Sequence, residues 1–176
     1  LFTRSTFRLE TRWPEPVYAL YKAQAPFHIL NSYGLFRVMT TERPEIILEG
    51  SADGTTWKPY HFYYKAGDPT IPPPFVAPHQ PRLDWQMWFA ALRGDVRNTP
   101  WFLNFCTRIL EGSSPVLRLL SHNPFPEAPP PYFRARLYHY EFTSFPEKKK
   151  TGHWWKRTLK GDFLPPIQNQ FLKQNP

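Results

Sequence analysis

Hydrophobic and polar positions alternate most clearly in PEIILEG, residues 44–50. Ile46 and Leu48 fall on one face and Glu45, Ile47 and Glu49 on the other, the period of two expected of a β-strand. SADGTTW then supplies an Asp53-Gly54 turn. WKPYHFYYK resumes the alternation, with Tyr60, Phe62 and Tyr64 set against His61, Tyr63 and Lys65. The two runs read as a hairpin whose second strand is pushed toward an edge by Pro59, because proline has no amide to donate to a ladder. Upstream, HILNSYGLFRVM, residues 28–39, is a candidate strand with an irregular point around Asn31 and Gly34. Downstream, YFRARLYHYEFT, residues 132–143, also has strand character.

Between these runs the period changes. GDPTIPPPFVAPHQP, residues 67–81, excludes a central strand or a helix, since each proline removes a donor and restricts the residue before it. It reads as an extended strap over the surface. In the next segment Trp85, Trp88, Phe89 and Leu92 fall at i, i+3, i+4 and i+7, one side of an amphipathic helix that stops at Gly94. Thr99-Pro100 opens a second helix through Trp101, Phe105 and Ile109 to Gly112, and Ser114-Pro115 a third through Leu120. HNPFPEAPPP, residues 122–131, is another strap. The order of strands, helices and strands predicts an α+β domain: an antiparallel β-sheet or β-sandwich with a short helical insert and proline-rich straps. Residues 26–166 form a single domain in this reading, with 1–25 a lead-in segment from a preceding region and 167–176 a tail.

Composition sharpens this picture. The 22 prolines far outnumber the 8 glycines among 176 residues, so the connections are stiff rather than flexible. An aromatic content of 18%, including 7 tryptophans, supplies a core and leaves rings for an exposed contact surface. The formal charge of +8 is concentrated near the end: Lys148, Lys149, Lys150, Lys156, Arg157 and Lys160 stand against Glu147 alone in residues 147–160. A patch of that kind meets nucleic acid, acidic protein or lipid headgroups. Between Pro146 and Gly152 it also reads as a solvated hairpin tip. No apolar run reaches the roughly 18 residues needed to cross a bilayer. The start, LFTRSTFRLETRW, lacks an initiator methionine and a signal-peptide core, as expected of a piece of a longer chain.

Candidate chemistry is sparse. Arg82 and Asp84 stand at the start of the first helix, where a carboxylate caps free amides and meets the helix dipole, and where Arg82 can pair with it. A catalytic role would need a second acid, a base or a metal ligand that the spacing does not supply. The six histidines, His28, His61, His79, His122, His139 and His153, form no HxxxH or HxH pair, and the single Cys106 sits in a helical pattern as a buried structural residue. Hydrolase-elbow, phosphate-loop and dinucleotide motifs are absent, so no catalytic residue, metal or cofactor is expected. His153, Trp154, Trp155, Lys156 and Arg157 mix rings with cations as single-strand binders do, but no nucleic-acid signature accompanies them.

Four separated blocks carry a resemblance. NSYGLFRVMTTERPEIILEGSADGTTWKPYHFYYKAGD, PHQPRLDWQMWFAAL, LLSHNPFPEAPPPYFRARLYHYEFT and HWWKR together resemble, in the same order, the carboxy-terminal region of the lipase maturation factor family. The resemblance implies a multi-pass membrane protein of the endoplasmic reticulum whose soluble part, on the luminal side, helps dimeric lipases fold and assemble. A bacterial relative would instead be associated with the bacterial membrane. The chain has no N-x-[ST] glycosylation sequon and one cysteine, so nothing in it marks an oxidising lumen. Asn31, Tyr33, Gly34, Arg82, Asp84 and Trp85 lie in the most family-like blocks and are expected chiefly to fix the fold.

A client-holding surface needs exposed apolar rings on a rigid frame with charge nearby. Phe75, Trp154 and Trp155 are the candidate contacts with lipase clients, each also readable as a ring packed under a strap. The alternative is a discoidin-like β-sandwich module binding glycan or lipid headgroups, since ILEGSADGTTWKPY is similar to a hairpin of such modules.

Overall fold

The structure is a computed structural model, described here for residues 14–24, 40–76 and 81–169. The chain divides into two compact units, Leu1–Thr41 and Glu42–Pro176. In the first, the described element is helix α1, Glu15–Gln24, in which Lys22 reaches over the Tyr18 ring. The strand expected at residues 28–39 lies outside the described residues, as do Asn31, Tyr33, Gly34, His28 and His79.

The second unit is built on a four-stranded antiparallel sheet in the order β2-β1-β5-β6, formed by β1 (Arg43–Ser51), β2 (Trp57–Pro59), β5 (Tyr132–Phe142) and β6 (Trp155–Gln168). A two-stranded ribbon pairs β3 (His61–Phe62) with β4 (Leu120–His122). The helical insert runs between the ribbon's strands: α2 (Arg82–Arg93), a 3-10 turn (Val96–Asn98), α3 (Pro100–Leu110) and α4 (Ser114–Leu117). Helix α5 (Phe145–Thr151) joins β5 to β6. The result is an α+β fold around an antiparallel sheet, as the alternation of patterns predicts.

Register explains the two faces. β1 and β5 pair Ile46 with Leu137, Leu48 with Ala135 and Gly50 with Phe133, so the small and apolar positions share one face. Met87, Ala90 and Ala91 of α2, Phe102, Cys106, Ile109 and Leu110 of α3, and Phe62 and Leu120 of the ribbon pack there into one core with Phe163 and Leu164 of β6. The Phe102 and Phe163 rings meet edge to face at 4.9 Å. Cys106 lies inside this cluster, and burial pushes its thiol pKa up, which makes it an inert filler. On the opposite face Glu49 receives Arg134, its cross-strand partner, at 2.6 Å, and the guanidinium lies over the Trp57 ring. A second, smaller cluster of Ile47, Ala66, Tyr140 and Trp155 also covers this face.

Several local expectations are corrected. The hairpin's second strand breaks at Tyr60, whose amide still donates to the Leu48 carbonyl, and His61–Phe62 leave for the ribbon. The helix α2 does not bury its Trp85, Trp88, Phe89 and Leu92 face: Asp84, Met87, Ala90 and Ala91 are the buried residues, because close approach of the helix to β1 favours small side chains. Trp85 stacks on Phe89 along the outer side. Leu120 leaves the third helix and begins β4. The lysine run forms the short helix α5, fixed by a Ser144–Glu147 capping box and a left-handed Gly152 cap, although it remains the solvated tip of an antiparallel connection.

Candidate functional site

The strap that begins after β3 is seated on the β5–β6 end of the sheet by a series of hydrogen bonds. The amides of Tyr64 and Lys65 donate to Asp84 Oδ1 at 2.9 and 3.0 Å. Tyr140 Oη donates to the Gly67 carbonyl at 2.5 Å. The amides of Trp154 and Trp155 both donate to the Pro69 carbonyl, at 2.8 and 3.1 Å, and Trp155 Nε1 donates to the Ile71 carbonyl at 3.0 Å. Between these anchors Asp68 folds a tight turn by accepting from the Thr70 amide and hydroxyl, which holds its carboxyl below the usual range. Carbonyls of a strap rich in proline thus find fixed donors, and the chain is rigid without regular structure.

An ion pair lies beneath the strap. Lys65 Nζ stands 3.2 Å from Glu45 Oε2, with the two side chains 3% and 2% exposed, and Arg43 reaches the other carboxylate oxygen at 3.1 Å. Sequence alternation sets Lys65 opposite Tyr60, Phe62 and Tyr64 without saying which face is covered; the structure buries it, and desolvation lowers its pKa from the ordinary lysine value. Asp84 is buried too, and desolvation raises its pKa despite the two amides it accepts.

Beyond Ile71 the strap continues through the exposed Pro72, Pro73 and Pro74. Together with the ribbon it walls a cleft of about 410 Å³ lined by Tyr63, Ile71, Pro72, Pro74, His122 and Trp155 among others. Tyr63 and Ile71 are exposed at its edge, and Phe75, which follows the three prolines of the strap, is 87% exposed. His61 and His122 face each other with ring centroids 5.7 Å apart, and burial, followed by the neighbouring His122, lowers the His61 pKa. Among the described residues no group of His, Cys, Asp and Glu side chains is arranged to hold a metal ion. Apolar rings, prolines and a few polar edges make a surface suited to recognising side chains.

The three candidate contacts fall in different surroundings. Phe75 projects from the strap into solvent. Trp154 is half-buried at the neck below α5, with the Lys148 ammonium over its ring. Trp155 is 2% exposed, stacked on Phe142 at 4.2 Å and edge-on to Tyr140, so its ring faces the strap from below rather than a partner. Arg82 is the exposed first residue of α2, and the structure contains no Arg82–Asp84 ion pair: Asp84 turns inward to the Tyr64 and Lys65 amides instead. Tyr63 and Ile71 escape sequence reasoning because one reads as strand and the other as strap.

These features define an α+β domain with a braced strap and a cleft lined by rings and prolines. The family model of the lipase maturation factor C-terminal domain matches residues 29–165, and the chain belongs to the lipase maturation factor family. It is 47% identical over 154 residues to lipase maturation factor 2 of Homo sapiens, covering 84% of this chain and 21% of that protein. Against lipase maturation factor 2 of Gallus gallus the identity is 44% over 162 residues, 88% of this chain and 22% of the relative. Lipase maturation factor 1 of Mus musculus is 39% identical over 158 residues, 85% of this chain and 27% of the relative. The chain therefore spans about a fifth to a quarter of the length of these relatives. No solved structure matches it.

Proposed function

We propose that this chain is the carboxy-terminal module of a membrane-anchored lipase maturation factor, placed on the luminal side of the endoplasmic reticulum, and that it assists lipase folding and assembly by holding client chains. It acts without catalytic chemistry of its own. The observation that carries the reading is the family match across residues 29–165. The fold adds a physical means: Tyr63 and Ile71 stand exposed at a cleft on a frame fixed by hydrogen bonds, and Phe75 is exposed just beyond its proline wall, so apolar client segments meet a surface whose ordering entropy is already spent. No helix among the described residues is long and apolar enough to cross a membrane, so anchoring falls to the region the longer relatives carry outside the matched part.

Phe75 and Trp154 are the proposed client contacts, and Trp155 supports them by holding the strap. The test is binding of the chain to a lipase presented as partly unfolded monomer and as native dimer, with Phe75→Ser and Trp155→Phe variants alongside. The unfolded monomer is the expected preference. Phe75→Ser is expected to weaken binding about tenfold, the scale of one lost aromatic anchor. Trp155→Phe keeps the ring but loses the bond to Ile71, and is expected to weaken it less. Equal or absent binding to both lipase forms would overturn the proposal.

A further inference from the structure

The β5–β6 connection ends in a feature that the strap and its cleft do not use. Phe145, the first residue of α5, is 91% exposed, and Phe142 at the end of β5 is 62% exposed. Around them residues 141–160 carry Lys148, Lys149, Lys150, Lys156, Arg157 and Lys160 against two carboxylates, Glu141 and Glu147. Glu147 is engaged in the capping box with Ser144, which holds its pKa below the ordinary value. Lys149 lies four residues after Phe145, on the same side of the helix.

The tip is stiff. The capping box fixes its start, and Gly152 closes its end. At the neck the Thr143 amide donates to the Trp154 carbonyl at 3.1 Å and the Thr143 hydroxyl to the His153 carbonyl at 2.7 Å. A phenylalanine held in water on such a pedestal gains nothing from the fold. Its hydrophobic free energy is realised only when another phase takes the ring.

We infer that this tip is a contact element for the surface of a phospholipid bilayer bearing anionic headgroups, with Phe145 entering the boundary between headgroups and acyl chains and the lysines resting on the phosphates. Two observations favour a bilayer over an acidic protein. The apolar payload is a ring at the end of a narrow, convex helix of seven residues, whereas a stable protein interface needs roughly 800 Å² per partner with its anchors near the centre. The exposed Lys149 and Lys150 share the short helix with the ring, the combination by which interfacial elements bind, an apolar side chain immersed and Lys or Arg at headgroup level. The inference does not depend on the lipase reading, since lipid vesicles contain no lipase.

The test is co-sedimentation of the chain with vesicles of phosphatidylcholine alone and of phosphatidylcholine mixed with phosphatidylserine, at low and high salt. Binding is expected to the mixed vesicles, weakened by salt as exposed charges are screened. Phe145→Ser is expected to cut the partition coefficient about tenfold, with Phe145→Leu retaining most of it. Lys149→Ala with Lys150→Ala is expected to cut it about fivefold per lysine. All these side chains are exposed, so circular dichroism and the melting temperature should remain at the native values. Absence of vesicle binding, equal binding to both compositions, or binding that either the Phe145→Ser or the lysine variant leaves unchanged would overturn the inference. Binding that survives Phe145→Ser and is competed away by polyglutamate would assign the patch to an acidic polypeptide instead.

Discussion

Replacing Asp84 with alanine removes the acceptor shared by the amides of Tyr64 and Lys65, at the point where the ribbon gives way to the strap. Each buried amide left without a partner costs about 1–3 kcal/mol, so Asp84→Ala, which strands two, is expected to lose roughly 2–6 kcal/mol. For a chain of this size, at about 2–4 °C per kcal/mol, that corresponds to a fall in Tm of roughly 4–24 °C. Asp84→Asn keeps an oxygen in place and is expected to lose much less. The two variants also separate in their pH dependence. Burial raises the Asp84 pKa above its ordinary value, so the folded protein binds this proton more tightly than the unfolded chain. The resulting stability is present in full below the ordinary aspartate pKa and is lost as pH rises through the folded value. Acidification should therefore shift the balance between the native protein and Asp84→Asn toward the native protein. Urea unfolding of the three proteins across an acidic pH series measures both effects. A loss below about 1 kcal/mol in Asp84→Ala, or a balance that shifts toward Asp84→Asn in acid, would refute this account of the carboxylate.

Two further outcomes follow from the packing. The His61 pKa is lowered by burial and by His122, with Asp68 opposing and Lys65 assisting, so its contribution to stability is present above the ordinary imidazole pKa and lost as pH falls through the folded one; His61→Asn should flatten the pH dependence of urea midpoints between about pH 5 and 7. At Gly50 a methyl group would stand 2.6 Å from Phe125 Cε2 and 2.7 Å from Pro130 Cγ, so Gly50→Ala is expected to destabilise by about 1–3 kcal/mol in the same assay, and an unchanged midpoint would mean that the ring and the proline yield freely.

The strands that alternate cleanly were the legible ones. Ile46 and Leu48 separate from Glu45, Ile47 and Glu49 in sequence as they do across the sheet, and residues 132–143 announce β5 through their aromatic and branched content. No strand is expected at residues 155–168, because a charged run followed by Pro165-Pro166 carries no alternation; as the outermost strand among the described residues, β6 tolerates both. Helix α2 was read with the right limits and the wrong face. Large rings dominate a hydrophobic pattern, but the contact with β1 is made by Met87, Ala90 and Ala91, and only the tertiary partner selects them. The candidate site was the least legible part. Trp154 and Trp155 are adjacent and look equivalent, yet strand register sends one ring under the strap and leaves the other at its margin. Nothing local in the sequence brings Lys65 to Glu45, twenty residues away, since that pair exists only once the strap is folded over the sheet.

The make-up of β6 bears on how the sheet avoids growing at its outer edge. A long outer strand is a template that any extended chain can lengthen. Here the strand's first half is studded with Lys156, Arg157 and Lys160, and its second half contains Pro165 and Pro166, which bring no amide hydrogens to a new ladder. Backbone capture is thereby discouraged along most of the strand's length. What stays available at this edge is contact through side chains, which is made and broken without lengthening the sheet.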